Sequence, residues 1–440
     1  MQLGPTGPAT IRGKLGAAAC MLLASVAPAV ARADPSGAVT QVDGTLLLYG
    51  EQSRTKVAEP TVRVTRLQPS GRSLSGQVVL DVMTGATPTG AMPPGVVDST
   101  AALPPDEAPR VQTMTAASGG GGGGGSEHVP GPGDIPLAQF HDTRVALDAE
   151  WHEPITNIFG STLGGYYSRE KDYESVGASG KLSLDFLHKL TTLTLGGGVN
   201  RDHVFPSGGT PLPLSDGTVL HDERNAKDVT SALVGLSRVI TRRWLISVNG
   251  SRTYEDGYLT EPYKVVSLID PATGYTTGQI TEGRPSTRQR TDVMTTMVYH
   301  FTSDVLHLSH RYYWDDWGVR SNTIDLKLRH DTGDSSFLQP HLRYYNQSQA
   351  DFFTFGLVQG EPLPTYATSD YRLGPLSTAT VGLTYGFHVP EQPGEFTIRA
   401  EYILQFGKGH PDTAMGVQQD FDLMPPVNIG SLVAGYSVAF

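Results

Sequence analysis

Cysteine is almost absent from this chain of 440 residues: the one thiol is Cys20. It lies in an N-terminal stretch in which Arg12 and Lys14 precede an apolar run from Leu15 to Val30, closed by the small-x-small pattern Ala31, Arg32, Ala33. That arrangement reads as a cleaved signal peptide over residues 1–33, with the mature chain starting at Asp34. An anchor helix is the weaker reading, because the run is short and Ala-rich and contains Pro28. A lipidated Cys20 is weaker too, since the apolar run continues past it. A mature chain without thiols has neither disulfide staples nor thiolate metal sites, so an extensive sheet has to hold it together.

Long apolar runs are missing after residue 33, and the mean hydropathy is −0.22. Helical membrane spans are therefore excluded, whereas barrel spans are not, because every second barrel residue faces the lumen and dilutes the signal. Positive charge is also scarce. Cleavage would take Arg12, Lys14 and Arg32 from a formal net charge of −11, leaving −14, which makes nucleic acid an unsuitable partner.

What the chain does have is alternation with a period of two. Ile324, Leu326 and Leu328 alternate with Thr323, Asp325, Lys327 and Arg329. Leu182, Leu184 and Phe186 alternate with Lys181, Ser183 and Asp185, and Phe396, Ile398, Ala400, Tyr402 and Leu404 with Thr397, Arg399, Glu401 and Gln405. A soluble sandwich would also alternate. These runs, however, reach about ten residues, the length of a tilted bilayer-crossing strand, against five or six in soluble sheets. Aromatic residues at the run ends, among them Trp151, Tyr166, Tyr167, Tyr312, Trp314, Tyr344, Phe387 and Tyr402, suit interfacial girdles.

The expected fold is all-β, a transmembrane antiparallel β-barrel over residues 34–440. Sixteen strands are expected near 44–51, 57–67, 73–83, 141–151, 157–168, 175–187, 190–201, 228–240, 244–255, 289–301, 305–316, 319–330, 335–347, 377–388, 395–406 and 427–440, with fourteen and eighteen left open. Short connections at 69–72, 152–156, 188–189, 241–243, 302–304, 331–334 and 389–394 interleave with long ones after Met83, Arg201, Tyr254, Asn346 and Phe406. Both termini then fall on the periplasmic side. The last strand carries Leu432, Ala434, Tyr436, Val438 and Phe440 on one face and resembles the C-terminal recognition signal of bacterial outer-membrane barrels. It implies the barrel-assembly machinery as a partner, read through Tyr436, Val438 and Phe440.

Residues 84–140, with the tract Gly119 to Gly125, read as a flexible Gly/Pro-rich external loop. They do not form a phosphate-binding loop, because Ser126, Glu127, His128, Val129 and Pro130 start no helix.

Three stretches resemble a family of predicted Gram-negative outer-membrane β-barrel proteins still classed as a domain of unknown function. They are Asp81 to Gly90 (DVMTGATPTG), Arg311 to Gly318 (RYYWDDWG) and Leu342 to Phe353 (LRYYNQSQADFF), with residues 91–137 the main departure. The resemblance implies the fold and an outer-membrane location. It brings no activity and no catalytic residues.

The candidate lumen-lining residues, by alternation, are Arg63, Arg144, Asp148, Glu150, Lys181, Asp185, Arg311, Asp325, Lys327, Arg329, Arg343, Arg399 and Glu401. Basic residues outnumber acidic ones, which would favour anions in an open pore, while mutual neutralisation in a plugged barrel is the competing reading. An external rim is expected from Tyr312, Tyr313, Trp314, Asp315, Asp316, Trp317, Asp351, Phe352 and Phe353. Asp315 and Asp316 could hold Ca²⁺, or the aromatics could stack on a sugar, but a girdle with a solvated turn explains them more simply, since two adjacent carboxylates supply too few oxygens.

No His-Glu-x-x-His or Gly-x-Ser-x-Gly pattern occurs, so the sequence points away from an enzyme, and nothing in it calls for a cofactor or metal. The sequence reading is thus a passive or selective channel for small polar or anionic solutes. A non-conducting scaffold docking a periplasmic protein or lipoprotein is the alternative, and outer-membrane lipid is a partner in both.

Overall fold

The computed structural model describes residues 37–93, 134–220, 225–389 and 393–440. Residues 1–33, the expected signal peptide, and the tract Gly119 to Gly125 lie outside them. In chain order the strands are β1 (Val39–Glu51), β2 (Lys56–Leu67), β3 (Ser73–Pro88), β4 (Leu137–Pro154), β5 (Phe159–Arg169), β6 (Tyr173–Phe186), β7 (Thr191–Val204), β8 (Thr210–Pro211), β9 (Val219–Leu220), β10 (Asn225–Thr241) and β11 (Trp244–Gly257). They continue with β12 (Val265–Ile269), β13 (Thr276–Thr281), β14 (Thr287–His300), β15 (Asp304–Asp315), β16 (Arg320–Asp331), β17 (Ser336–Gln347), β18 (Gly356–Val358), β19 (Leu376–Phe387), β20 (Glu395–Gly407) and β21 (Val427–Ala439).

Sixteen of these strands form one closed antiparallel barrel in the order β1-β2-β3-β4-β5-β6-β7-β10-β11-β14-β15-β16-β17-β19-β20-β21. The ring closes where β1 meets β21, with Val42 opposite Val438 and Leu46 opposite Ala434. Closure leaves no sheet edge, which a lipid-embedded sheet requires because hydrocarbon offers no hydrogen-bond partners. Each barrel strand has at least eleven residues, enough to cross a bilayer at a tilt. Among the described residues no helix is long and apolar enough to cross a membrane.

Alternation fixes which face meets lipid. Ile324, Leu342, Val381, Ile398 and Leu432 are all more than 40 % exposed and lie on successive strands from β16 to β21. On the other side of the ring Val78, Leu147, Leu163, Leu182, Leu195 and Val234 continue the same belt. Large exposed apolar side chains around a whole ring are costly in water and favourable in acyl chain. Two prolines mark the ladders: pairing of β2 with β3 skips Glu59 and Pro60, and pairing of β16 with β17 skips Pro340, because proline has no N–H to donate.

The strands extend further at the long-loop end than the sequence suggests. β3 runs to Pro88 and β4 begins at Leu137, so the loop bounds 84–140 need correcting to 89–136. Within it Ala91 and Met92 are buried. The long connections also carry structure of their own, for β13, β12 and β18 form a three-stranded sheet in which β12 and β18 run parallel. This sheet is the centre of a cap. Val266, Ile280 and Ala367 form its apolar core, Met92 N–H donates to Ser267 Oγ (2.9 Å), and Gln418 Nε2 donates to the Gly274 carbonyl (2.6 Å). Gly90 takes a φ of +92° where a Cβ would lie 2.5 Å from the Val265 carbonyl, so glycine is required for this close approach. The connections β3–β4, β7–β10, β11–β14, β17–β19 and β20–β21 thereby meet at one end of the barrel.

Candidate functional site in the barrel lumen

The face opposite the apolar belt is polar, and its charges are organised rather than scattered. On one wall Glu150 (β4) takes both Arg63 (β2) at 3.4 Å and Lys181 (β6) at 3.2 Å. Arg144 sits opposite Asp81 in register and pairs with it. Asp185 accepts from Thr192 Oγ1 at 2.6 Å. Asp148, on the same strand as Glu150, has no ion pair or hydrogen bond among the described residues. With Arg63, Glu150, Tyr166, Ser179 and Asn200 it lines a cavity of about 390 Å³.

The opposite wall carries a longer chain of groups. β16 lies eight places from β4 in either direction round the sixteen-strand ring. Lys327 approaches Asp325 Oδ1 at 3.6 Å, Asp325 Oδ2 lies 2.8 Å from His341 Nε2, and His341 Nδ1 lies 2.8 Å from Glu401 Oε1, with Arg399 Nε 3.6 Å from the same oxygen. His341 is buried, with one ring nitrogen within hydrogen-bond distance of each carboxylate. Arg329 stacks on Phe337 (3.6 Å) and pairs with Asp331, while Arg311 pairs with Asp292. Arg343 has no ion pair or hydrogen bond among the described residues, and it lines a cavity of about 560 Å³ with Arg311, Thr323, Asp325, Lys327 and Gln339.

His341 and Asp292 were not singled out from the sequence. The signal was present, since His341 shares the inner parity of Arg343 and Asp292 pairs in register with Tyr313, two places from Arg311. Alternation places a residue on the inner face but does not say which polar groups there join one network.

The nine rim residues do not form one cluster. Tyr312 and Trp314 lie on the apolar face with ring centroids 5.5 Å apart. Tyr313 and Asp315 take the inner parity, where Arg288 pairs with Asp315 and stacks over Trp317 at 4.2 Å. The Asp315 carboxylate is wholly buried and also accepts from Tyr313 Oη (2.7 Å) and the Trp317 and Val319 N–H groups. Asp316 turns elsewhere, to the Gln289 N–H (2.8 Å), so the two aspartates do not converge on a common point. Trp317 and Phe353 share a buried cluster with Val319, Ala350 and Leu373, against which Phe352 packs edge-on to Trp317. Asp351 lies beside Gly318, whose φ is +85° and whose position has no room for a Cβ. On the final strand the Tyr436 ring contacts Phe396 at 4.4 Å, Val438 is buried, and Phe440 is 38 % exposed.

Under the cap, Arg284 bridges Glu282 (2.6 Å) and Asp370 (2.9 Å), and Arg372 joins Asp370 (2.6 Å) to Glu261 (3.0 Å). Burial alone would push the Asp370 carboxyl up, but Arg372, Arg284 and Lys264 outweigh it and hold it well below the usual carboxylate range. Between this network and wall residues Arg288, Tyr313, Tyr345 and Gln347 lies a cavity of about 330 Å³. At the short connection between β5 and β6, Glu170 sits with Asp142 and Asp172, their carboxylate oxygens within 4.8 Å of one another. Burial, with Asp142 beside it, pushes the Glu170 carboxyl up to about 7.

Residues 12–438 match the family described as "Protein of unknown function (DUF3570)". The chain belongs to this family. No curated protein matches it. Among solved structures the DUF3570 chain is similar to the outer membrane protein OpdK of Pseudomonas aeruginosa, at 8% identity and a TM-score of 0.39, covering 92% of this chain and 99% of that one. It is similar to OccK5 (OpdH) of the same organism at 9% identity and a TM-score of 0.40, covering 92% and 98%. A third is the ferric enterobactin receptor PfeA, also of Pseudomonas aeruginosa, at 8% identity and a TM-score of 0.42, covering 89% of this chain and 60% of that chain.

Proposed function

We propose that this protein is a channel for small polar solutes in the outer membrane of a Gram-negative bacterium. The observation that carries the reading is a sixteen-strand closure around a polar face with separate cavities on opposite walls. Sixteen-strand barrels have a circumference wide enough to leave an aqueous interior. Asp148 on one wall and Arg343 on the other, neither with an ion pair or hydrogen bond among the described residues, give the interior a transverse field that turns dipolar solutes as they pass. Most other lumen charges are neutralised in pairs, so selectivity rests on a few residues rather than on net charge. Planar-bilayer conductance tests the proposal. Discrete current steps are expected from the refolded protein, and silence at every salt concentration and voltage would refute it.

The folded cap favours a second reading, a closed barrel that serves as a scaffold for a periplasmic protein or lipoprotein. Crosslinking in cells separates the two: a partner recovered together with an electrically silent barrel supports the scaffold.

A further inference from the structure

We propose that the inner wall formed by β15, β16 and β17 holds a subsite for a small monocarboxylate with an apolar body, anchored by Arg343. The subsite rests on the channel reading only for the route by which a solute reaches it.

Register makes Asp325 the residue directly opposite Arg343, and a cross-strand pair of this kind ordinarily neutralises itself. Here it does not, because both Asp325 oxygens are committed, Oδ1 towards Lys327 and Oδ2 to His341 Nε2. His341 is in turn held by Glu401, so the carboxylate is drawn along the strand and away from the guanidinium. Arg311, the other nearby arginine, already has Asp292. Arg343 is left without an ion pair or hydrogen bond among the described residues, and it lines a cavity of about 560 Å³, a volume within the usual range for small-molecule sites.

The lining identifies the ligand class. A guanidinium presents parallel N–H groups that match the two oxygens of a carboxylate. Thr323 and Gln339 add neutral donors beside it, and Met294 supplies apolar surface for a short hydrocarbon chain. Arg343 has no carboxylate partner among the described residues, which suits an anionic head group, whereas a dianion would bring its second charge towards Asp325.

Equilibrium dialysis of the full-length refolded protein in detergent against radiolabelled butyrate tests this without requiring conduction. Saturable binding is expected from the parent. Arg343→Gln should weaken it roughly tenfold or more, and Arg343→Lys should fall between, since an ammonium keeps the charge but loses the fork. Arg72→Gln, which removes the same charge from a short turn outside the lumen, should bind as the parent does. Equal affinity in the parent and Arg343→Gln, equal losses in Arg343→Gln and Arg72→Gln, or no saturable binding by the parent would each overturn the subsite. Bound butyrate in a barrel that passes no current would refute the channel and leave the subsite standing.

Discussion

Glu401 reaches His341 across the full width of an intervening strand, and it can do so because the position between them is Gly382. In register His341 faces Gly382, and Gly382 faces Glu401. A Cβ on Gly382 would stand 2.7 Å from Glu401 Cγ and 3.3 Å from the Ala400 carbonyl, so any side chain there would push Glu401 off its path.

Gly382→Ala should therefore act by breaking the Glu401–His341 contact. A hydrogen bond to a charged group contributes about 1.5–3 kcal/mol, and a loss of that order is expected in urea unfolding from lipid vesicles. Combined with Glu401→Gln, it should cost much less than the two single changes added together. Strict additivity would mean that Gly382 acts in some other way.

The face assignment makes a separate prediction on β16. Ile324 and Leu328 are exposed on the apolar belt and Leu326 shares their parity, while Lys327 lies on the cavity wall. Leu326→Arg should cost about 2–4 kcal/mol near the bilayer midplane, whereas Lys327→Ala should leave the folded barrel intact. Heat-modifiable migration on gels distinguishes them. A Leu326→Arg protein that folds like the parent, beside a Lys327→Ala protein that does not, would invert the assignment of faces.

Glu170 gives a pH prediction of definite sign. Its carboxyl is raised from an ordinary 4.5 to about 7 in the folded chain. The stability linked to it is therefore complete below 4.5 and is lost as pH rises through about 7, where an ionised Glu170 must share its site with Asp142 and Asp172. Thermal unfolding of the parent should fall across that window relative to Glu170→Gln, whose midpoint should lack this component. Parallel curves for the two proteins would show that Glu170 does not titrate there.

The barrel was legible because bilayer chemistry writes one rule along every strand, apolar outward and polar inward, and the rule repeats often enough to be counted. β16 and β20 are examples, since their alternating runs in the sequence coincide with the strands within a few residues. The ends were less legible. β3 and β4 continue through Thr84 to Pro88 and Leu137 to Phe140, where cap contacts, which follow no period, take over from lipid. The charge pairs were not legible at all. Alternation assigns Arg343 and Asp325 to one face, but whether they pair depends on His341 and, through Gly382, on Glu401, two strands further round. The burial of Trp317 was not legible for a related reason: beyond the turn residue Asp316 the chain leaves the strand, and the ring turns into a buried cluster shared with the β17–β19 connection.

The cap also sets an order of events. Its parallel pairing joins Ser267 to Gly356, and its outer contact joins Gly274 to Gln418, residues separated by most of the second half of the barrel. Contacts so distant along the chain form slowly, because long loops must close first. Leu214 and Leu268 cover Val266 and Ile280 from one part of the chain, but Leu357 and Ala367 complete that cover only once the β17–β19 connection has docked. A chain whose β17–β19 connection has not yet docked would leave part of that apolar surface facing water, an adhesive mouth on an unfinished tube.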